Sequence, residues 1–293
     1  MLDGTRCLVS LALGPCPSPD EAPGGAPARL AELRRALAAA EAGGVTRVVH
    51  LSSAVVYGAA PGNDLPLTED APVRPDPAFG WAVELAEGER LVAEWRDGAP
   101  GRAAAVLRPA LVLAPDDGGA LARALGGLAG PRPTGSSRPV QFVHVDDVAS
   151  AVVTCATAAD PVDGPLNVAP EGWLGDDEAA ALGGGAVPPP SLPSRAVGPA
   201  RRLCWALGVG ATPPDTESYA SHPWVVAADR LRGLGWAPTH TVEEAVVVTS
   251  KCSPLADLSP RRRQELLLAG VAAVLAGILL TVAVAAARAL RAR

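Results

Sequence analysis

The first fifty residues constrain the fold most, because they alternate strand, helix and strand. Arg6-Cys7-Leu8-Val9-Ser10-Leu11-Ala12-Leu13 is a short apolar run stopped by Gly14-Pro15, the pattern of a buried parallel strand. Pro17 to Pro27 reads as loop. Ala28 to Ala42 then places leucines at 30, 33 and 37, a helical spacing closed by Gly43-Gly44. Thr46 to Leu51 is β-branched and apolar, a second strand. Strand, helix and strand in that order make a βαβ unit, whose crossover is right-handed and whose strands are parallel.

The alternation continues downstream. Ala59–Pro77 is polar and proline-rich, a loop, and Phe79–Trp95 follows as a helix. Ala103 to Leu113 is the next strand, ending at Pro115-Asp116-Asp117-Gly118-Gly119. Val140 to Val145 predicts a short strand, Asp146-Asp147-Val148-Ala149 a helix running through Ala156 with an aspartate as N-cap, and Pro165 to Val168 another strand. Gly183–Ala200 reads as a surface loop and Pro254 to Arg263 as a linker. The fold class is therefore α/β with a Rossmann-like parallel sheet, in one domain spanning 1–250, with 251–265 as linker.

Charge and cysteine usage exclude several functions. The net charge is −6, yet the tail from 261 carries six arginines against Glu265, so residues 1–260 hold −11. An acidic body does not suit a phosphate backbone, and no nucleic-acid partner is expected. The five cysteines lack C-x-x-C spacing, and neither they nor the four histidines form a metal-ligand pattern, so no metal site is expected.

Leu266–Ala287 carries no charge and is bounded by Arg261-Arg262-Arg263 and by Arg288, Arg291 and Arg293. Its 22 residues would make about 33 Å of helix, enough for a hydrocarbon core of about 30 Å. A single-pass C-terminal membrane anchor over 266–287 is expected, with the lipid bilayer as partner and the acidic body cytoplasmic.

Two further segments carry a resemblance. Val48-Val49-His50-Leu51-Ser52-Ser53-Ala54-Val55-Val56-Tyr57-Gly58 resembles the strand and active-site serine loop of the extended short-chain dehydrogenase/reductase family, also called the NAD-dependent epimerase/dehydratase family. Phe79 to Val92 is similar to the helix that carries its Tyr-x-x-x-Lys pair. Leu107-Arg108-Pro109-Ala110-Leu111-Val112-Leu113-Ala114-Pro115, Phe142 to Ala149, Gly164 to Val168 and Leu234-Gly235-Trp236-Ala237-Pro238 follow in family order. The resemblance implies a substrate-side lobe built after about residue 115, NAD or NADP as cofactor, Ser53 as a substrate contact and Pro109 near the cofactor.

The catalytic pair itself is replaced. In the register set by the Ala-Glu-x-Glu-x-Leu-Val run, Trp81 stands at the tyrosine position and Leu85 at the lysine position, and the only lysine is Lys251. In the family the tyrosine phenol, its pKa of about 10 lowered by the lysine, exchanges a proton with substrate while hydride moves to or from nicotinamide. An indole N–H and a leucine side chain cannot do this. Before Arg6 the family also places a glycine-rich phosphate loop, within a span on the order of 60 residues, and this sequence shows none. The expectation is an N-terminally truncated, catalytically impaired, membrane-anchored homologue that retains a vestigial Ser53 and binds NAD(P) poorly. A second copy or another partner is expected over the bare edge of the first strand. Two alternatives compete: an active oxidoreductase or sugar-nucleotide epimerase using Tyr57 or Ser53 as acid, and a hydrolase combining Ser53 with His144 and Asp146.

Overall fold

The computed structural model describes residues 6–13, 25–115, 120–183, 190–207, 210 and 213–250. Its centre is a four-stranded parallel sheet formed by β1 (Cys7–Ser10), β2 (Arg47–Leu51), β3 (Ala103–Pro109) and, after several intervening elements, β8 (Gly164–Val168), in the order β1-β2-β3-β8. Cys7 pairs with Arg47 and Ser10 with His50, so the two strands of the predicted βαβ unit are adjacent and parallel. β1 is the outer strand among the described residues, with Val9 40% and Leu11 58% exposed.

Helices α1 (Gly25–Ala42) and α2 (Gly80–Asp97) pack together, and α4 (Val145–Thr157) packs against β1, β2 and β3. Leu33, Leu37 and Ala40 of α1 and Ala82, Leu85 and Val92 of α2 are buried, so the helical spacing read from the sequence is the spacing of the core face. The ion pair between Arg29 and Glu84, at 2.8 and 2.6 Å, joins the two helices.

The run Ala103–Leu113 is two strands instead of one. β3 ends at Pro109, and β4 (Leu111–Leu113) leaves the main sheet to pair with β7 (Phe142–His144). Between them lie α3 (Ala120–Leu125), β5 (Arg132–Pro133) and β6 (Pro139–Val140); β9 (Leu174–Gly175) pairs antiparallel with β6 and leads into α5 (Asp176–Leu182). Helix α4 is capped by His144, whose ring nitrogen accepts from the Asp146 N–H at 3.3 Å. This corrects the aspartate cap: His144 (φ −73°, ψ 145°) is the last extended residue, so the turn into the helix begins before Asp146.

The predicted loop Gly183–Ala200 also contains structure. β10 (Ser191–Leu192) pairs with β5, and α6 (Ser194–Ala206) begins six residues before the expected loop ends, with Pro199 inside it. Short helices α7 (Glu217–Ser221), α8 (Asp229–Gly233) and α9 (Val242–Ser250) complete the described chain. α9 opens on a capping box in which the Thr241 N–H donates to Glu244 and the Glu244 N–H to the Thr241 hydroxyl. Among the described residues no helix is long and apolar enough to cross a membrane, and the predicted segments 251–265 and 266–287 lie outside them.

Candidate functional site

The candidate site is built where β2 and β3 end beneath the first turns of α2. β2 passes into an extended Ser53 (φ −155°, ψ 152°), which opens a 3-10 turn over Ala54–Tyr57. The Ser53 hydroxyl accepts from the Val55 N–H at 3.4 Å and donates to the Pro109 carbonyl at 3.5 Å, and the residue is 8% exposed. Ser53 thus caps its own turn and ties it to the end of β3. Gly58 closes the turn at φ 76°, where a Cβ would lie 2.1 Å from the Arg74 carbonyl oxygen, so only glycine lets the two chain segments cross.

Trp81 and Leu85 sit one turn apart on α2, and only Leu85 is fully buried. The Trp81 indole, half-buried and 5.7 Å from the Phe79 ring, points its N–H to the Leu13 carbonyl at 3.5 Å. Leu85 is 1% exposed within the core cluster. One turn on, a Cβ on Gly88 would lie 2.2 Å from Leu13 Cδ1, which marks the close approach of α2 to the end of β1. No phenol or ammonium stands at either position.

Behind these residues runs a buried polar chain. The Ser52 hydroxyl donates to Glu89 at 2.6 Å, and Arg108 grips the same carboxylate through Nε at 3.0 Å and a terminal nitrogen at 2.5 Å. Its other terminal nitrogen donates to the Tyr57 hydroxyl at 2.9 Å, and Tyr57 donates to Asn167 Oδ1 at 2.8 Å. The Asn167 amide donates to the carbonyls of Leu67 and Ala227. Burial raises the Tyr57 pKa above the ordinary phenol value, outweighing the opposing pull of Arg108. Burial alone would lower the Arg108 pKa, but the Glu89 carboxylate raises it overall. Tyr57 is therefore a fixed hydrogen-bond relay with a raised pKa, which does not suit a replacement acid working near neutrality. A hollow of about 110 Å³ opens beside the Glu89–Arg108 pair, well below the roughly 300 Å³ at which ligand pockets begin.

Sequence reading missed Glu89 and Asn167, yet a signal was present. Glu89 falls on the stripe of Leu85, Gly88 and Val92 that faces the core, and a carboxylate in such a stripe requires a buried partner. Arg108 stands in β3, where every residue is buried.

His144 and Asp146 do not join Ser53 among the described contacts. The His144 ring instead stacks on His240 with centroids 4.1 Å apart, and His240 pairs with Asp147 at 3.0 Å. Burial would raise the Asp147 pKa, but hydrogen bonds from Thr239 and His240 hold it below the usual aspartate value. Asp147 secures the loop before α9, which accounts for its burial. Among the described residues no group of three histidine, cysteine or acidic side chains could hold a metal ion.

A parallel sheet with a serine turn at the end of one strand and a helix pressed against that turn defines a Rossmann-type α/β domain. Residues 28–169 match the NAD dependent epimerase/dehydratase family. Solved structures share the fold. MoeE5 in complex with UDP-glucuronic acid and NAD is 18% identical at a TM-score of 0.63, covering 87% of this chain and 81% of its own. RMD from Pseudomonas aeruginosa complexed with NADPH is 17% identical at 0.61, covering 84% and 81%. The DesIV double mutant, a dTDP-glucose 4,6-dehydratase from Streptomyces venezuelae with NAD and DAU bound, is 16% identical at 0.57, covering 87% and 76%. A sequence search of curated proteins finds no match.

NAD or NADP is the cofactor that family resemblance implies. The residues present do not fit its working arrangement. Leu85 is sealed in the core, Trp81 spends its only donor on a backbone carbonyl, and among the described residues no strand-to-helix turn carries a phosphate-cradling glycine motif.

Proposed function

We propose that this chain is a catalytically impaired member of the epimerase/dehydratase family, tethered to a membrane through residues 266–287. The observation that carries the impairment is the pair Trp81 and Leu85: neither can give or take a proton, and general acid–base catalysis alone is typically worth about 10²–10⁴ in rate. Ser53 remains as a vestigial contact, able to orient a hydroxyl or carbonyl but already committed to Val55 and Pro109. Pro109 serves the same turn through its carbonyl. A second copy or another protein over the free edge of β1 completes the reading, because Val9 and Leu11 are otherwise open to water.

The test of impairment uses the unaltered chain. Incubated with each of the four nicotinamide forms and a panel of nucleotide sugars, it is expected to show no change in nicotinamide absorbance and no binding at sub-millimolar cofactor. Turnover by the unaltered chain, or a micromolar dissociation constant, would overturn the reading. A companion variant, Trp81→Tyr with Leu85→Lys, checks the assigned positions: nicotinamide-dependent turnover in the variant and none in the parent supports them, provided its far-ultraviolet circular dichroism shows it folded.

The tether has its own measurement. The full chain is expected in the membrane pellet and resistant to carbonate extraction, while the same chain ending at Ser259 is not membrane-inserted, whether soluble, aggregated or released from lipid by carbonate. Recovery of the full chain in the soluble fraction contradicts the anchor and leaves the impairment reading untouched.

A further inference from the structure

Helix α6 presents a face that the rest of the described fold does not use. Its inner side is pinned: Val197 and Gly198 are buried, and the buried Arg201 donates to the Pro131 carbonyl at 3.0 Å and the Ala220 carbonyl at 3.5 Å. The opposite side carries Arg195, Pro199, Arg202, Leu203 and Ala206, spaced along one helical stripe and all exposed. Leu203 is 53% exposed, and Leu207, which caps the helix, is 62% exposed. Trp205 lies half-buried at the margin. A leucine pair one turn apart on an outward face, beside arginines, is the pattern of a helix that lies in a lipid interface.

Charge selects the occupant. Residues 1–260 carry a strong net negative charge, yet no acidic residue occurs between Glu178 and Asp215, a stretch that holds Arg195, Arg201 and Arg202. Among the described residues Arg195 and Arg202 form no ion pair. The acid nearest this helix is Glu217, exposed, whose carboxylate approaches Gly198 where the Arg202 guanidinium also lies; its charge, with that of the buried Asp176, also acts on Arg201. Arg195 and Arg202 outnumber Glu217 there, so the exposed face keeps net positive charge beside apolar surface, complementary to an anionic headgroup layer over acyl chains. Each arginine held near such a surface is attracted to it, and the two leucines add burial in the headgroup boundary.

We propose that the outer face of α6, centred on Arg202, Leu203 and Leu207, docks onto an anionic lipid bilayer. This goes beyond the tether and does not require it: the tail would hold the chain at a membrane, whereas α6 would set which face of the domain lies against the lipid. Docking would place Leu203 and Leu207 below the phosphates, with Arg195 and Arg202 among them, as a short amphipathic helix lies in an interface.

Hydrogen–deuterium exchange on the full chain tests this, with vesicles of phosphatidylcholine alone and of phosphatidylcholine mixed with phosphatidylglycerol. Amides of 194–207 are expected to exchange about tenfold more slowly on the mixed vesicles than without vesicles, and to be unaffected by phosphatidylcholine alone. The double variant Leu203→Ser with Leu207→Ser alters only exposed side chains and is expected to abolish that protection while keeping parental exchange elsewhere. Equal exchange of 194–207 with and without anionic vesicles overturns the proposal. So does protection that rises with protein concentration in the absence of lipid, which would give the face to a second copy, and so does protection independent of both, which would give it to another part of this chain. Free exchange of 266–287 on vesicles that still protect 194–207 would remove the tether and leave the docking surface standing.

Discussion

Replacing Glu89 by alanine is expected to cost the fold about 3–5 kcal/mol, the penalty for leaving one member of a buried ion pair alone. Arg108 would lose both carboxylate contacts while 6% exposed, and the Ser52 hydroxyl would lose its acceptor. The cost comes from a stranded guanidinium and not from the absence of attraction as such. Glu89→Leu combined with Arg108→Met is therefore expected to recover most of the loss, since apolar groups of similar volume replace such pairs at little cost. Urea unfolding of the parent, the single variant and the double variant gives the comparison. A single variant within about 1 kcal/mol of the parent would show that water reaches the pair through the adjoining hollow.

The second expected result is an acid limb owed to one histidine. His50 lies in β2 with no exposed surface, 3.3 Å from the Ser10 hydroxyl through Nδ1 and with no partner at Nε2 among the described residues. Burial lowers its pKa from 6.5 to about 4. In the unfolded chain the ring protonates as pH falls through 6.5, whereas in the folded chain it stays neutral until about 4. The unfolded state thus binds the extra proton across that window, and stability falls with pH. The full contribution is present above pH 6.5, and about 3 kcal/mol is lost by pH 4. His50→Leu removes this one proton from the linkage, so the difference in stability between parent and variant should change by about that amount between pH 7.5 and pH 4. A pH-independent difference would show that His50 titrates alike in the folded and unfolded chain, and would overturn the expectation.

Much of the sheet was legible because its strands are short continuous apolar runs bounded by turn residues. Cys7–Ser10, Arg47–Leu51 and Gly164–Val168 fall where those runs predict them. The break at Pro109 was not legible, because Ala103 to Leu113 is apolar but for Arg108 and only the pairing of Leu111–Leu113 with Phe142–His144 divides it. Helix α6 was hidden by glycine and proline around it, and its Pro199 argues locally against a helix that tertiary packing nevertheless supports. At the site, the sequence named Ser53, Trp81, Leu85 and Pro109 as candidate positions but held no record of what they touch. That Glu89 and Arg108 meet depends on where a helix crosses a strand 19 residues later, and a single sequence carries no direct record of that crossing.

The sealed environment of Leu85 also bears on the history open to this helix. Family resemblance puts a lysine at that position, but the leucine is closed off from water and the carboxylate one turn on, Glu89, is already held by Arg108 and Ser52. A solitary reversion would set a cation in hydrocarbon, or force it neutral by shifting its pKa several units, and would weaken the fold before restoring any chemistry. Packing thus acts as a ratchet. On the proposed reading, placing a charge at this position requires a coordinated opening of its neighbours, which single substitutions supply far less readily than further change.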